Sequence, residues 1–218
     1  LVGSEMCIRD RQYQFMKNFQ DKYLCESDRK MNKLMGFLEL KEMKLPSVPW
    51  KQYTGEEKFE DKYLWTVRSA VYRGNDLNLP RSVGESSKAS KKFADQLLKE
   101  MNDNGIVIYY PYFIANKSGT LEVRRDKVII EAVKNDLWNL VTYSDREVTI
   151  ITDTEDNESI IGNADFMSDK ELNNLNKHIP EIRKLFRDDL LQGKSALLEW
   201  SFAQSCNSCL LYTSPSPR

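Results

Sequence analysis

The chain has 218 residues, with 32 basic against 33 acidic side chains, one histidine and four cysteines. That near balance gives it no global attraction to nucleic acid or to an anionic membrane surface. No apolar run approaches the roughly 20 residues that a membrane-spanning helix needs, and roughly 200 residues suffice for one good core or two small ones.

The two ends stand apart. Leu1–Arg11 reads LVGSEMCIRDR and Cys209–Arg218 reads CLLYTSPSPR. The strings resemble translations, in opposite orientations, of one transposon-type sequencing adapter. Both are expected to be non-native and are set aside from fold reasoning. Three basic and two acidic residues fall in them, which leaves a net charge of −2 for residues 12–208. Cys25 and Cys206 remain, so no disulfide framework is expected and a reducing, cytoplasmic setting fits. The apparent Cys206-Asn-Ser-Cys209 motif loses its second cysteine and with it any redox or zinc reading. The remaining stretch is expected to be open at both ends.

Phe15, Met16, Phe19, Tyr23 and Leu24 recur at helical spacing, and Met31, Leu34, Met35, Leu38 and Met43 form a second amphipathic run. Leu45-Pro-Ser-Val-Pro-Trp50 breaks it, since two prolines so close cannot continue a helix. Leu64–Val71 alternates at period two and predicts a strand. Gly74–Pro80 predicts a loop. Ser86 or Ser87 caps a predicted helix with Phe93, Leu97, Leu98 and Met101 on one face. Asn102–Gly105 predicts a turn, and Ile106–Ala115 one long strand with Pro111 at a bulge or an edge. Asn116–Gly119 predicts a turn that sets Thr120–Val123 antiparallel to that strand. Val128–Val133 follows the charged turn Arg124-Arg125-Asp126, and Glu147–Thr152 is a further strand. Asp153–Asn157 reads as a solvated acidic turn. Ser168-Asp-Lys-Glu171 is a capping box. It opens a helix carrying Leu172, Leu175, Ile179, Ile182 and Leu185, interrupted near Pro180. Gly193 precedes a last strand, Ala196–Ala203. The interleaving predicts an α+β fold.

No phosphate-binding loop, dinucleotide fingerprint, nucleophile elbow or His/Cys metal pattern is present. His178, beside Pro180, reads as a surface helix residue. The unusual feature is charge set into strands. Arg68 sits in WTVRSA, Glu131 in VIIEAV and Glu199 in ALLEWSF. Ionised side chains are rarely buried without a partner, so each is either at a solvent-facing position or in a site. A strand guanidinium can grip phosphate bidentately. A strand carboxylate is a rigid, hard oxygen ligand suited to Mg²⁺.

Taken in order, these residues make the chain resemble the N-terminal ATP-grasp, nucleotide-binding domain of phosphoenolpyruvate synthase and pyruvate phosphate dikinase. Lys33-Leu-Met-Gly-Phe-Leu-Glu39 through Leu45–Trp50 is similar to that family's opening lysine, helix and proline turn. Thr66-Val-Arg-Ser-Ala70 is similar to its V-R-S-S motif. Ser118-Gly-Thr with Ile129-Ile-Glu-Ala-Val133 is similar to its S-G turn and I-E-A-V strand. Met167–Leu172 is similar to its L-T/S-D-E-E helix start, and Leu198-Glu-Trp-Ser-Phe202 to its I-E-W-A strand. The chain departs from the family in having Met31 and Asn32 where glycines flank the lysine, and Lys134-Asn-Asp-Leu-Trp138 in place of G-L-G-E.

The resemblance implies ATP and Mg²⁺ as cofactors and two subdomains, residues 12–104 and 105–208, each with a largely antiparallel sheet flanked by helices. Arg68 and Lys33 would contact the phosphates, and Arg68 would act in catalysis. Glu131 would lie by the nucleotide and Glu199 would hold the metal. Phosphoryl transfer would run to a histidine on a separate phosphohistidine domain and then to pyruvate on a barrel domain, so the fragment alone is expected to be inactive. Two rivals stand beside this: an ATP-grasp carboxylate–amine ligase, and a non-catalytic nucleotide-binding or interaction module. Neither nucleic acid nor membrane is an expected partner.

Overall fold

A computed structural model describes residues 45–72, 79–137, 140, 146–205 and 208–215. Lys33 and both N-terminal amphipathic runs lie outside these residues, as does most of the predicted 74–80 loop. The described chain forms two antiparallel sheets with flanking helices, the α+β class that the sequence predicts.

The first sheet has four strands, β1 (Lys51–Tyr53), β2 (Trp65–Val71), β3 (Arg81–Glu85) and β4 (Gly105–Pro111), in the order β1-β4-β2-β3. Helix α1 (Ser87–Met101) packs on one face. Ser86 caps it, its hydroxyl accepting from the Ala89 N–H, which satisfies one of the orphan donors of the first turn. Ala94, Leu97 and Met101 of α1 meet Trp65, Val67, Val107 and Tyr109, with Tyr53 sealed among them. Lys91 ties the helix to β1. Its ammonium donates to the Gly55 carbonyl (3.0 Å), to Asp95 (2.9 Å) and to the Tyr53 hydroxyl, which itself donates to Asp95.

The chain leaves this sheet at Pro111. The apolar run Ile106–Ala115 reads as one strand, but its two halves belong to different sheets. The link is Tyr112-Phe113. The Tyr112 N–H donates to the Leu64 carbonyl at 2.8 Å, and the Tyr112 ring packs over Gly84. The change of sheet therefore falls after β4.

The second sheet contains β5 (Ile114–Val123), β6 (Lys127–Lys134), β7 (Val148–Asp153), β8 (Glu158–Gly162), β9 (Ala196–Ser205) and β10 (Ser208–Pro215). Their order is β10-β9-β5-β6-β7-β8. β10 falls in the segment resembling an adapter; any extended segment can add to an open sheet edge. The predicted turn at Asn116–Gly119 is absent, because β5 runs straight through it. Gly119 is there for closeness. A Cβ on it would stand 1.8 Å from the Glu131 carbonyl oxygen and 2.5 Å from Trp200 Cζ2. Turn composition concealed a strand glycine that lets a tryptophan lie against the backbone.

Helices α2 (Asp169–Asn176), α3 (Ile179–Leu185) and α4 (Arg187–Leu191) follow β8. Leu175 and Ile182 join Met167 against Leu121, Val123, Val128, Ile130, Val148, Ile150, Leu198 and Trp200. This is the larger core, on one face of the second sheet. The capping box at Ser168 is formed, and Pro180 sits in the first turn of α3, where a missing N–H costs nothing. Lys117 anchors the start of α2, donating to the Phe166 carbonyl (2.6 Å) and to Glu171 (2.8 Å).

Burial pushes the Glu171 carboxyl up, but its bonds from Lys117 and Ser168 outweigh that and hold it below the ordinary 4.5. Stability from this group is therefore fully present above pH 4.5 and is lost as pH falls through the lower folded value. Glu171→Gln is expected to cost about 1 kcal/mol at neutral pH and to flatten the acid limb of a Tm-against-pH profile. An acid limb as steep as the wild type's would remove Glu171 from the account.

No helix among the described residues is long and apolar enough to cross a membrane.

Candidate functional site

On the second sheet, register decides which side chains meet. Thr120 of β5 lies opposite both Glu131 of β6 and Glu199 of β9, and Glu131 lies opposite Thr149 of β7. Directly opposed residues project to the same face. Glu199, Thr120, Glu131 and Thr149 therefore form one polar row across four adjacent strands. The next residue along each strand belongs to the large core: Leu198, Leu121, Ile130 and Ile150 form the neighbouring row. The polar row thus lies on the face away from α2–α4. Two strand spacings separate the glutamate backbones, about 10 Å.

This settles where Glu131 lies. It is on an interior strand, three-quarters buried, on the polar face. The Thr120 hydroxyl donates to Glu131 Oε2 at 3.1 Å, and Arg146 Nε lies 2.5 Å from Glu131 Oε1. Arg146 stands two residues before the start of β7, and the next residue fixes its place, for the Glu147 N–H donates to the Ala132 carbonyl at 2.9 Å. Glu199 is half-buried on β9. Two residues along from the row, on the same face, the Ser118 and Ser201 hydroxyls are 2.9 Å apart, and Ser118 donates to the Asn135 carbonyl at 2.7 Å. These bonds satisfy the fully buried Ser118.

Arg68 is on the other sheet, half-buried in the middle of β2. It lies opposite Ile108 of β4 and Arg81 of β3, on the face away from α1. Two arginines face one another across β2 and β3, a concentration of positive charge that reading β2 alone did not show. The structure brings Glu131 and Glu199 into one row, and it places Arg68 on a different sheet. Lys33 is outside the described residues.

The donor set of the row is all oxygen: two carboxylates with a threonine hydroxyl between them. Mg²⁺ is commonly held by one or two carboxylates, the other positions going to water and to substrate phosphates, so Glu199 fits it, whereas both oxygens of Glu131 are already engaged. Among the described residues, no three His, Cys, Asp or Glu side chains gather as a protein-only metal cage.

His178 departs from its sequence reading as a surface residue. It precedes α3 and is partly buried, with Nε2 sealed off from solvent. It lines a small cavity with Leu45, Leu121, Leu175, Ile182, Leu198 and Trp200, whose Nε1 is also buried. Neither nitrogen has a hydrogen-bond partner among the described residues. Burial, then the charge of Lys177, holds the imidazole below its ordinary value, against an opposing pull from Glu181. The cavity is on the helix-covered face, so His178 does not share the polar row.

Residues that the sequence did not single out are Thr120, Thr149, Arg81 and Arg146. Thr120 had a possible signal, since it neighbours Gly119 in the S-G-T string. Arg146 had none.

No protein-family model matches the chain, and no curated protein matches it in sequence. Solved structures do show similarity of arrangement. One is D-alanyl-alanine synthetase A from Vibrio cholerae, at 8% identity and a TM-score of 0.47, covering 85% of this chain and 55% of that one. Another is N5-carboxyaminoimidazole synthetase from Staphylococcus aureus complexed with ADP, at 14% identity and a TM-score of 0.47, covering 87% and 45%. A third is D-alanine–D-alanine ligase from Bacillus anthracis complexed with ATP, at 12% identity and a TM-score of 0.38, covering 85% and 54%. The chain spans about half the length of these structures.

Proposed function

We propose that this chain is the Mg-ATP-binding part of an ATP-grasp phosphotransferase of the phosphoenolpyruvate synthase type. The observation that carries the reading is the row Glu199–Thr120–Glu131. It sets the two strand carboxylates of the family-like motifs in one row on the face away from the helices. In this reading the two sheets are the two ATP-grasp subdomains, and the nucleotide lies between them. Arg68, with Lys33, neutralises phosphate charge. Glu131 borders the nucleotide and Glu199 holds the metal. Mg²⁺, when bound, would offset the negative charge that develops on transfer. The phosphoryl group then passes to a histidine on a phosphohistidine domain of the parent protein, and on to pyruvate on a barrel domain. Two cysteines outside the adapter-like ends, Cys25 and Cys206, suit a reducing, cytoplasmic setting.

Calorimetric titration of the chain with Mg-ATP tests this. Binding is expected, with Arg68→Ala and Glu199→Ala each weakening it about tenfold or more. Absence of heat with the wild type, or unchanged affinity in both variants, sinks the reading. Absence of any nucleotide-dependent rise in Tm would point instead to a module without the site.

A second reading is an ATP-grasp carboxylate–amine ligase, which uses the same ATP site to make an acyl phosphate. The solved structures similar to this chain in arrangement are, by name, synthetases and a ligase, the class to which this reading belongs. ADP release that requires a carboxylate substrate would select it.

A further inference from the structure

We infer that Arg146 is a phosphate-contacting residue of this site and that Glu131 is the positioning residue that holds it; this rests on the nucleotide reading above. The argument starts at Glu131. Both of its carboxylate oxygens are engaged, Oε1 by Arg146 Nε at 2.5 Å and Oε2 by the Thr120 hydroxyl at 3.1 Å. A carboxylate already neutralised by a guanidinium and bonded through both oxygens is a poor metal ligand and a weak acceptor for a nucleotide. It is well suited to fixing the guanidinium in one place.

Arg146 has what a phosphate contact requires. Its side chain is 47% exposed, against 24% for Glu131, so the glutamate is the inner partner and the arginine the outer one. The contact to Glu131 runs through Nε. The planar fork has five N–H donors, and it matches phosphate oxygens bidentately. The backbone beside it is anchored, through the Glu147 bond to Ala132. An ion pair with a partner this exposed adds about 0–1 kcal/mol to stability, which makes stability a small part of what the pair offers.

The test is a mutant cycle on the whole chain, read by calorimetry with Mg-ATP and with adenosine as separate probes. Arg146→Gln is expected to weaken Mg-ATP about tenfold or more and to leave adenosine unchanged. Glu131→Gln releases the arginine and is expected to weaken Mg-ATP by less. The double variant Glu131→Gln/Arg146→Gln decides between direct and indirect action. If Arg146 touches phosphate, the double variant stays as weak as Arg146→Gln. If Arg146 only neutralises Glu131, the double variant returns to wild-type affinity, and the inference is overturned. Equal losses for adenosine and Mg-ATP also overturn it, because they place Arg146 away from the phosphates. Should Arg146→Gln not fold, Arg146→Lys keeps the charge without the fork. A selective loss for Mg-ATP then supports the assignment, and unchanged affinity overturns it. A wild type that binds no Mg-ATP removes the nucleotide reading itself, whereas a binding wild type with an unaffected Arg146→Gln removes the Arg146 assignment alone.

Discussion

Gly119→Ala is expected to be among the most damaging single substitutions in the second sheet. The added methyl would stand 1.8 Å from the Glu131 carbonyl oxygen and 2.5 Å from Trp200 Cζ2. The first neighbour is backbone of the paired strand β6 and cannot rotate away. The second is a ring with no solvent side, since Trp200 is fully buried. Something in the sheet must shift, and the strands that would part are β5 and β6, which carry Thr120 and Glu131. A loss of about 3 kcal/mol or more is expected, read as a lower urea midpoint with an unchanged slope. Mg-ATP binding should fall with it in the proposed reading, because the row is displaced. A midpoint shift worth under about 1 kcal/mol would show that β5 and β6 do not approach as described.

Trp200→Ala follows with a comparable expected loss. Trp200 packs against Phe202, ring centroids 5.4 Å apart, and joins the core formed by Leu121, Leu198, Leu175 and Ile182. Removing a buried tryptophan costs about 3–5 kcal/mol, through lost transfer energy and the cavity left behind. Trp200→Phe makes an informative companion. The indole Nε1–H has no hydrogen-bond partner among the described residues, and phenylalanine removes that donor. Thermal or urea denaturation is expected to place Trp200→Phe well above Trp200→Ala. Equal losses in the two variants would mean that the indole nitrogen has a partner worth keeping.

Part of this architecture was readable from the residues. Glu131 and Glu199 sit in short apolar, β-type runs that read as strands, and the Ser168 capping box and the break at Pro180 are local chemistry. The failures have physical causes. Ile106–Ala115 is continuous in apolar and aromatic character across Pro111, so nothing local shows that the chain changes sheets there. Asn116–Gly119 has the composition of a turn, yet its glycine serves a contact with Trp200, which only tertiary structure supplies. β8 was missed because Glu158–Gly162 is short and exposed throughout, which leaves no alternation to detect. His178 read as a surface residue because its burial depends on strands distant in sequence. For the site, residue types were legible and register was not. That Glu131 and Glu199 share one row depends on how β5 pairs with both β6 and β9, and a slip of one residue would send either glutamate into the core. The Arg146 contact follows from how β7 pairs with β6.

The order of the strands also bears on how the row is assembled. β5, β6, β7 and β8 are consecutive neighbours, so each pairing closes one short connection. β9 is different. It pairs with β5 from beyond the whole of β6–β8 and the three helices. Local pairings form quickly, whereas a distant one must first overcome the entropy of closing a long loop. Thr120, Glu131 and Arg146 are thus expected to come together while the chain is still forming hairpins, and Glu199 to arrive last. Stopped-flow refolding with pulsed hydrogen exchange should show the β5–β6 amides protected ahead of those of β9. A kinetic intermediate would then carry the arginine–glutamate pair but lack the second carboxylate, so the capacity to hold a divalent cation would be acquired only in the final folding step.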